Sequence, residues 1–334
     1  MKTHFPRLNR LQFVPVLLFT FVLSMAARGQ APDVEETSEK SNAISLSVEA
    51  TTQPGNFHTP LDSTPDPLGN FIYFVAIGKR GPGVFRVAAA ANNPVVEIAA
   101  GYPLVAPTGI AFSSDGLTIY ITDAQAWSDD GVSGQIFALP ANGGTPLPLP
   151  GAAGTKPRNL DVVRENGRDV IYYSGQEPRR LRPAIFKLAI NAPNTLRIVA
   201  QGAPLVAPDG IAVTRTGIVY VADRASAGYG RGNVFRLNGR SIRPITSAVQ
   251  MGNPAGIALT LDDSTLLVSS HQRNGYDQVL VVDLRTLRTQ VFTDVVGENL
   301  DAGGLHRAHD RDIYSWIDST SGGQGTVYLV RPRP

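Results

Sequence analysis

The chain has 334 residues, 17% charged and 43% hydrophobic, with 33 glycines, 25 prolines and no cysteine. That composition excludes disulfides, thiolate metal sites and a lipid-modified cysteine, and the length is enough for a large core. The formal charge of +2 is a property of the first 31 residues, which carry four basic side chains and no acid. The remainder holds 26 basic against 28 acidic residues, about −2, which gives no support for binding nucleic acid or an anionic membrane.

Residues 1–31 read as a secretory signal peptide. Lys2, Arg7 and Arg10 form a basic start, Leu11 to Met25 is apolar, and Ala26-Ala27 or Gly29-Gln30-Ala31 supplies small residues for cleavage. The apolar stretch is short for a spanning helix and contains Pro15, so a retained anchor is the second reading. The expected location is secreted or periplasmic, with no stable membrane span after signal removal. Export without disulfides is consistent with a core this large. Residues 32–43, with Asp33, Glu35, Glu36 and Glu39, have the polar, acidic composition of a disordered lead-in.

From residue 44 to 334 one pattern repeats six times, starting near Pro60, Pro107, Pro157, Pro208, Pro254 and Ala302. Each copy opens with a short apolar run such as Gly109-Ile110-Ala111-Phe112 or Gly210-Ile211-Ala212-Val213. A polar turn such as Ser114-Asp115-Gly116 follows. The second run is rich in β-branched and aromatic residues, as in Phe71 to Val75, Ile119 to Thr122 and Ile218 to Val221. After a variable, glycine-containing loop comes a third run, such as Val84-Phe85-Arg86-Val87 or Ile185-Phe186-Lys187-Leu188. Several third runs alternate apolar with polar, the pattern of a half-buried strand. A weaker fourth strand follows in most copies, for example Val95 to Ile98, Leu196 to Val199 and Gln290 to Thr293.

Four short strands per unit, six times over at 46–51 residue steps, predict an all-β, six-bladed propeller with four-stranded blades. A linear solenoid needs capping units at both ends, and none is visible. The last copy stops after its third strand, Thr326 to Val330, while Ile44 to Glu49 alternates like a strand ahead of the first copy. The N-terminal strand is therefore expected to complete the last blade, closing the ring and covering a free strand edge.

In such a ring the connections into the first strands and the loops between second and third strands share one face, where binding is expected. Those loops contain Trp127-Ser128-Asp129-Asp130, Glu177 to Arg182 with Arg180, Tyr229-Gly230-Arg231, and His271 to Asp277 with Arg273. Arg158, Asn159 and Asp209 fall at the centre of the same face. Aromatics and arginines are common in binding patches, and arginine suits carboxylate or phosphate. An ordinary solvated rim explains the same residues. Asp123, Asp223 and Asp318 end second strands and are expected to accept backbone N–H bonds rather than to act chemically. His306-Arg307-Ala308-His309-Asp310 looks metal-like, but its register places His309 and Asp310 in an exposed turn on the opposite face. The glycines at Gly228, Gly230 and Gly232 precede no helix, so they are not a nucleotide fingerprint.

The segment Pro208-Asp209-Gly210-Ile211-Ala212, then Ile218 to Asp223, then Gly232 to Leu237 resembles an NHL repeat. It is also similar to the regucalcin/gluconolactonase group of six-bladed propellers and, more loosely, to paraoxonase-like and streptogramin-lyase propellers. The resemblance covers nearly all of residues 44–331. It implies the fold, and for the lactonase branch it implies calcium or another divalent cation held by oxygen ligands. Asp209 stands where one such ligand would be. Thr108, Arg158, Ala255 and Gly303 stand in the comparable slots of other copies, with Asn159 one residue late and Asp62 the nearest first-blade carboxylate. The lyase branch implies a histidine base, for which His271 is the candidate.

Two functions remain open on sequence. One is an exported binding module using the loop-rich face and central channel, taking a small anionic molecule, a glycan or a peptide or protein. The alternative is a divalent-metal-dependent lactonase-like hydrolase or lyase.

Overall fold

The computed structural model describes residues 45–272, 275–293 and 301–333. Residues 1–31 and 32–43, expected to be a signal peptide and an acidic lead-in, lie outside them. The described chain forms six four-stranded antiparallel sheets. Blade one is β2 (Phe57–Pro65), β3 (Phe71–Gly78), β4 (Gly81–Ala88) and β5 (Val96–Ala100). Blade two is β6 (Pro107–Phe112), β7 (Thr118–Trp127), β8 (Ser133–Pro140) and the short β9 (Leu147–Pro148). Blade three is β10 (Leu160–Glu165), β11 (Arg168–Gln176), β12 (Pro183–Ala189) and β13 (Arg197–Gln201). Blade four is β14 (Pro208–Val213), β15 (Val219–Gly228), β16 (Arg231–Asn238) and β17 (Ser241–Val249). Blade five is β18 (Ile257–Leu259), β19 (Thr265–His271), β20 (Asp277–Asp283) and β21 (Thr289–Thr293).

Blade six is β22 (Ala302–Arg307), β23 (Tyr314–Asp318), β24 (Thr326–Pro332) and, outermost, β1 (Leu46–Ala50). β1 runs antiparallel to β24, with Leu46 opposite Pro332 and Ala50 opposite Tyr328. This is the expected closure, begun slightly later than the expected start at Ile44. No helix among the described residues is long and apolar enough to cross a membrane.

The core is divided among the blade interfaces. Tyr73, Val75 and Val84 of blade one pack on Ile110, Phe112 and Ile121 of blade two, with the Tyr73 and Phe112 rings edge-to-face at 4.8 Å. Equivalent clusters join each later pair. At the closing seam Ile317, Val327 and Leu329 of blade six pack on Phe57, Phe74 and Phe85 of blade one. Each blade is thus covered on both faces. In third strands that alternate, the polar member is the less buried, as at Arg86 and Lys187, whereas the all-apolar run Val279 to Val282 of β20 is buried throughout. A strand sandwiched between neighbours has no solvated face to fill with polar residues.

The glycine of the repeated phrase has a steric reason. A Cβ on Gly210 would lie 2.4 Å from the Ala255 carbonyl oxygen, and one on Gly256 would lie 2.2 Å from the Leu305 nitrogen. Successive inner strands pass that closely around the channel, so only glycine fits.

Candidate functional site

The channel is walled by β2, β6, β10, β14, β18 and β22. Each pairs with a single neighbour, so its second edge needs other partners. Aspartates in the inner strands supply some of them by reaching to the next blade. Asp62 accepts from Ile110 N at 3.0 Å, Asp161 from Val213 N at 2.7 Å, and Asp209 from Ala255 N at 3.1 Å. Their places in the inner strands follow from the repeat, but their role depends on which neighbour's N–H comes within reach.

Two of these carboxylates anchor ionic clusters. Asp209 is fully buried. Its Oδ1 lies 3.3 Å from Arg158 Nε, and Arg224 Nε approaches Oδ2 at 3.7 Å. Arg158 Nη2 also donates to Asn253 Oδ1 at 3.1 Å. Burial pushes the Asp209 pKa up, and the Arg158 charge and the Ala255 N–H offset this only in part. Asp62, also fully buried, receives Asn159 Nδ2 and His306 Nε2 on the same Oδ2, each at 3.0 Å. Burial pulls the His306 pKa down, but Asp62 and then Asp161 outweigh it and the net direction is up. Asp62 Oδ1 and Asn159 Oδ1 have no hydrogen-bond partner. Asp62 joins blades one, two, three and six through these contacts, across separations of 48, 97 and 244 residues.

The expected site residues divide. Arg158, Asn159 and Asp209 do meet at the channel. Asn159, one residue out of register for a ligand slot, faces Asp62 instead. The first-blade carboxylate and His306 are functional candidates that the register argument passed over. His306, which the turn argument for His309 and Asp310 did not place, is buried in β22 and lines the channel. Asp310 is exposed as expected, but His309 is half-buried and bonds through Nε2 to the Phe112 carbonyl at 3.0 Å. A signal was present in β10, where Asp161 interrupts the apolar run between Leu160 and Val162; β2 is itself rich in polar residues, so Asp62 does not stand out in it.

His271 ends β19 away from this cluster. It lines a separate space of about 420 Å³ with Arg231, Gln250 and Gln278. Burial lowers its pKa, favouring the neutral ring. Its Nδ1 is buried without a hydrogen-bond partner. Trp127 and Tyr229 stand out from the loop-rich face, Trp127 at 68% exposure and Tyr229 fully exposed at a positive φ of 52°. Arg180 is exposed, with its backbone N–H donated to Glu177. Arg273 lies outside the described residues.

The aspartates ending second strands hold loops. Asp123 accepts four backbone N–H groups, from Val105, Ala106, Gln125 and Ala126, at 2.7–3.0 Å. Asp223 does the same for Val206, Ala207 and Ala225. Asp318 takes the N–H and hydroxyl of Thr320.

A divalent cation of the kind the resemblance implies needs several oxygen ligands not already neutralised. Asp209 faces two guanidinium groups and Asp62 faces an imidazole, so neither carboxylate fits that requirement. Among the described residues no group of three or more His, Cys, Asp or Glu side chains is placed to hold a metal.

No protein-family profile and no curated protein sequence matches this chain. Solved structures do. A PQQ-bound aldose sugar dehydrogenase from Streptomyces coelicolor is 13% identical, with a TM-score of 0.61 over 87% of this chain and 99% of that one. A gluconolactonase from Xanthomonas campestris is 16% identical, with a TM-score of 0.54 over 85% and 87%. A chain of a nidogen/laminin complex is 19% identical, with a TM-score of 0.53 over 70% and 79%. At these identities the likeness establishes the propeller, the fold shared by NHL-like and gluconolactonase-like proteins, and leaves chemistry to the residues.

Proposed function

We propose that this chain is an exported binding module whose loop-rich face recognises an acidic segment of a protein. One observation carries the reading: exposed aromatics and unburied basic residues share that face. Tyr102 is 93% exposed and Trp127 68%, with Tyr229 fully out. Around them Lys79, Arg179, Arg180 and Arg182 are exposed, and Arg80, also exposed, is paired with Glu97 at 2.5 Å. The acids in these loops are fewer: Asp129, Asp130, and Glu177, which caps the N–H groups of Arg179 and Arg180. Large amphipathic rings beside arginines are the composition of interface anchors. That a structural neighbour belongs to a nidogen/laminin complex shows a propeller of this build in a protein assembly, and adds no more than that. Export rests on residues 1–31.

The alternative, a metal-dependent lactonase, draws its support from the resemblance. The arginines on Asp209 and the separation of His271 from that residue weigh against it.

Surface plasmon resonance on an immobilised poly-glutamate peptide tests the reading, with a sulfated glycan as the second surface. Binding to the peptide should weaken with salt and fall at least tenfold in Trp127→Ala and in Arg179→Ala/Arg180→Ala/Arg182→Ala. Binding to the glycan alone, or peptide binding that these variants leave unchanged, would reject it.

A further inference from the structure

On the opposite side of the ring, where inner strands turn into second strands, the channel opens into a cavity of about 550 Å³. That volume suits a small organic ligand. Its wall is about half apolar, including Phe112, Ile211, Val213 and Ile257, and half polar, with Asp161, His306 and His309 among the polar residues. The free edges of the inner strands add backbone donors and acceptors.

Arginines converge on its mouth. Arg164 lines this cavity and two neighbouring grooves, of about 470 Å³ between blades three and four and about 600 Å³ between blades two and three. Arg215 lines the cavity and the first groove. Both side chains are exposed.

The carboxylates around these spaces are mostly engaged within the protein. Asp161 accepts the N–H groups of Val162 and Val213 at 2.8 and 2.7 Å, and burial raises its pKa. Asp169 is bonded to the N–H and hydroxyl of Ser114. Glu165 is held by Lys187 and Tyr172, both at 2.6 Å. Asp115 takes the Ser113 hydroxyl and the Leu117 N–H. Asp263 receives the Arg215 N–H at 3.0 Å and its Nε at a long 3.4 Å. Asp310, exposed on the adjoining turn, is the opposing charge. On the basic side, Arg307 is engaged with the carbonyls of Leu259, Ala308 and His309. Among the described residues Arg164 enters no ion pair, and Arg215 is paired with Asp263 through Nε at 3.4 Å. Three arginines, Arg164, Arg215 and Arg307, and three aspartates, Asp161, Asp263 and Asp310, thus line the cavity, and the exposed guanidinium groups are those of Arg164 and Arg215.

We propose that this turn-side cavity binds a small organic carboxylate, its body against the apolar part of the cavity wall and its carboxylate gripped by Arg164 and Arg215. The planar fork of each guanidinium matches two carboxylate oxygens. The two arginines come from adjacent blades and close on the ligand from two sides. This site is on the face opposite the protein-binding surface, so the two proposals stand or fall separately.

Thermal denaturation of the purified protein with succinate, benzoate or citrate tests it, with sodium chloride at matched ionic strength and inorganic phosphate as controls. At least one carboxylate should raise Tm saturably, by mass action on the folded state. Its half-saturation concentration should rise at least tenfold in Arg164→Ala and in Arg215→Ala, and stay put in Arg288→Ala, an exposed control just ahead of the outer strand β21. Saturable stabilisation by none of the three carboxylates overturns the proposal. So does an equal rise with phosphate or chloride, or a half-saturation that either arginine variant leaves unchanged.

Discussion

Replacing Asp62 by alanine removes a carboxylate on which four blades converge. Three donors lose their acceptor, from Ile110 N, Asn159 Nδ2 and His306 Nε2, each at 3.0 Å in a fully buried setting. Breaking a buried ion pair by removing one partner costs roughly 3–5 kcal/mol. Orphaned donors add about 1–3 kcal/mol each when water cannot reach them. The terms overlap, and His306 escapes part of the cost by losing its proton, so the expected loss is about 3–5 kcal/mol in all. At roughly 2–4 °C per kcal/mol for a large domain, Tm should drop by about 6–20 °C.

The pH dependence carries a second signature. In the fold the His306 pKa is raised. Its stabilising contribution is fully present below the unfolded value of about 6.5 and is lost as pH rises through the folded value. Stability of the parent should therefore decline on going from about pH 6 to 8 by a component that Asp62→Ala lacks. Urea unfolding at several pH values, with m compared between the proteins, measures both. A loss under about 1 kcal/mol, a surface-like value, or an unaltered pH slope would refute the view that Asp62 and His306 form the hub of the channel.

Gly210→Ala should destabilise by about 1–3 kcal/mol, since its Cβ meets the Ala255 carbonyl oxygen at 2.4 Å and backbone must move; chemical denaturation checks this. Asp123→Ala should cost on the order of 3 kcal/mol and expose the connection at residues 101–106 to limited proteolysis ahead of global unfolding, because two N–H groups in it lose their acceptor. Millimolar calcium should leave the parent Tm unchanged; a saturable rise that Asp209→Ala abolishes would show that a cation displaces Arg158. Trp127→Ala and Tyr229→Ala should change unfolding stability by no more than about 0.5 kcal/mol, as both rings are exposed; a larger loss by thermal denaturation would mean that they are structural.

What the chain's order of residues determines by itself is local and repetitive. The β-branched runs, the turns at Ser113 to Gly116, and the glycine at Gly210 recur because each blade solves the same problem, burial on both faces beside a neighbour. The missing fourth strand after Val330 and the spare strand near Leu46 made closure legible too, since an edge left open is costly whatever surrounds it. Asp123 and Asp223 were readable as loop anchors because their partners lie within 18 residues. The channel was not readable in this way. Asp62 and His306 are 244 residues apart, and no local rule says which of six inner strands will face which other across the axis. Ring geometry decided that His306 meets Asp62 across the channel, that Arg158 reaches Asp209, and that Arg164 and Arg215 line one mouth. Side-chain charges settle their partners only after the blades are placed, because an ion pair depends on a few ångströms that sequence separation does not encode.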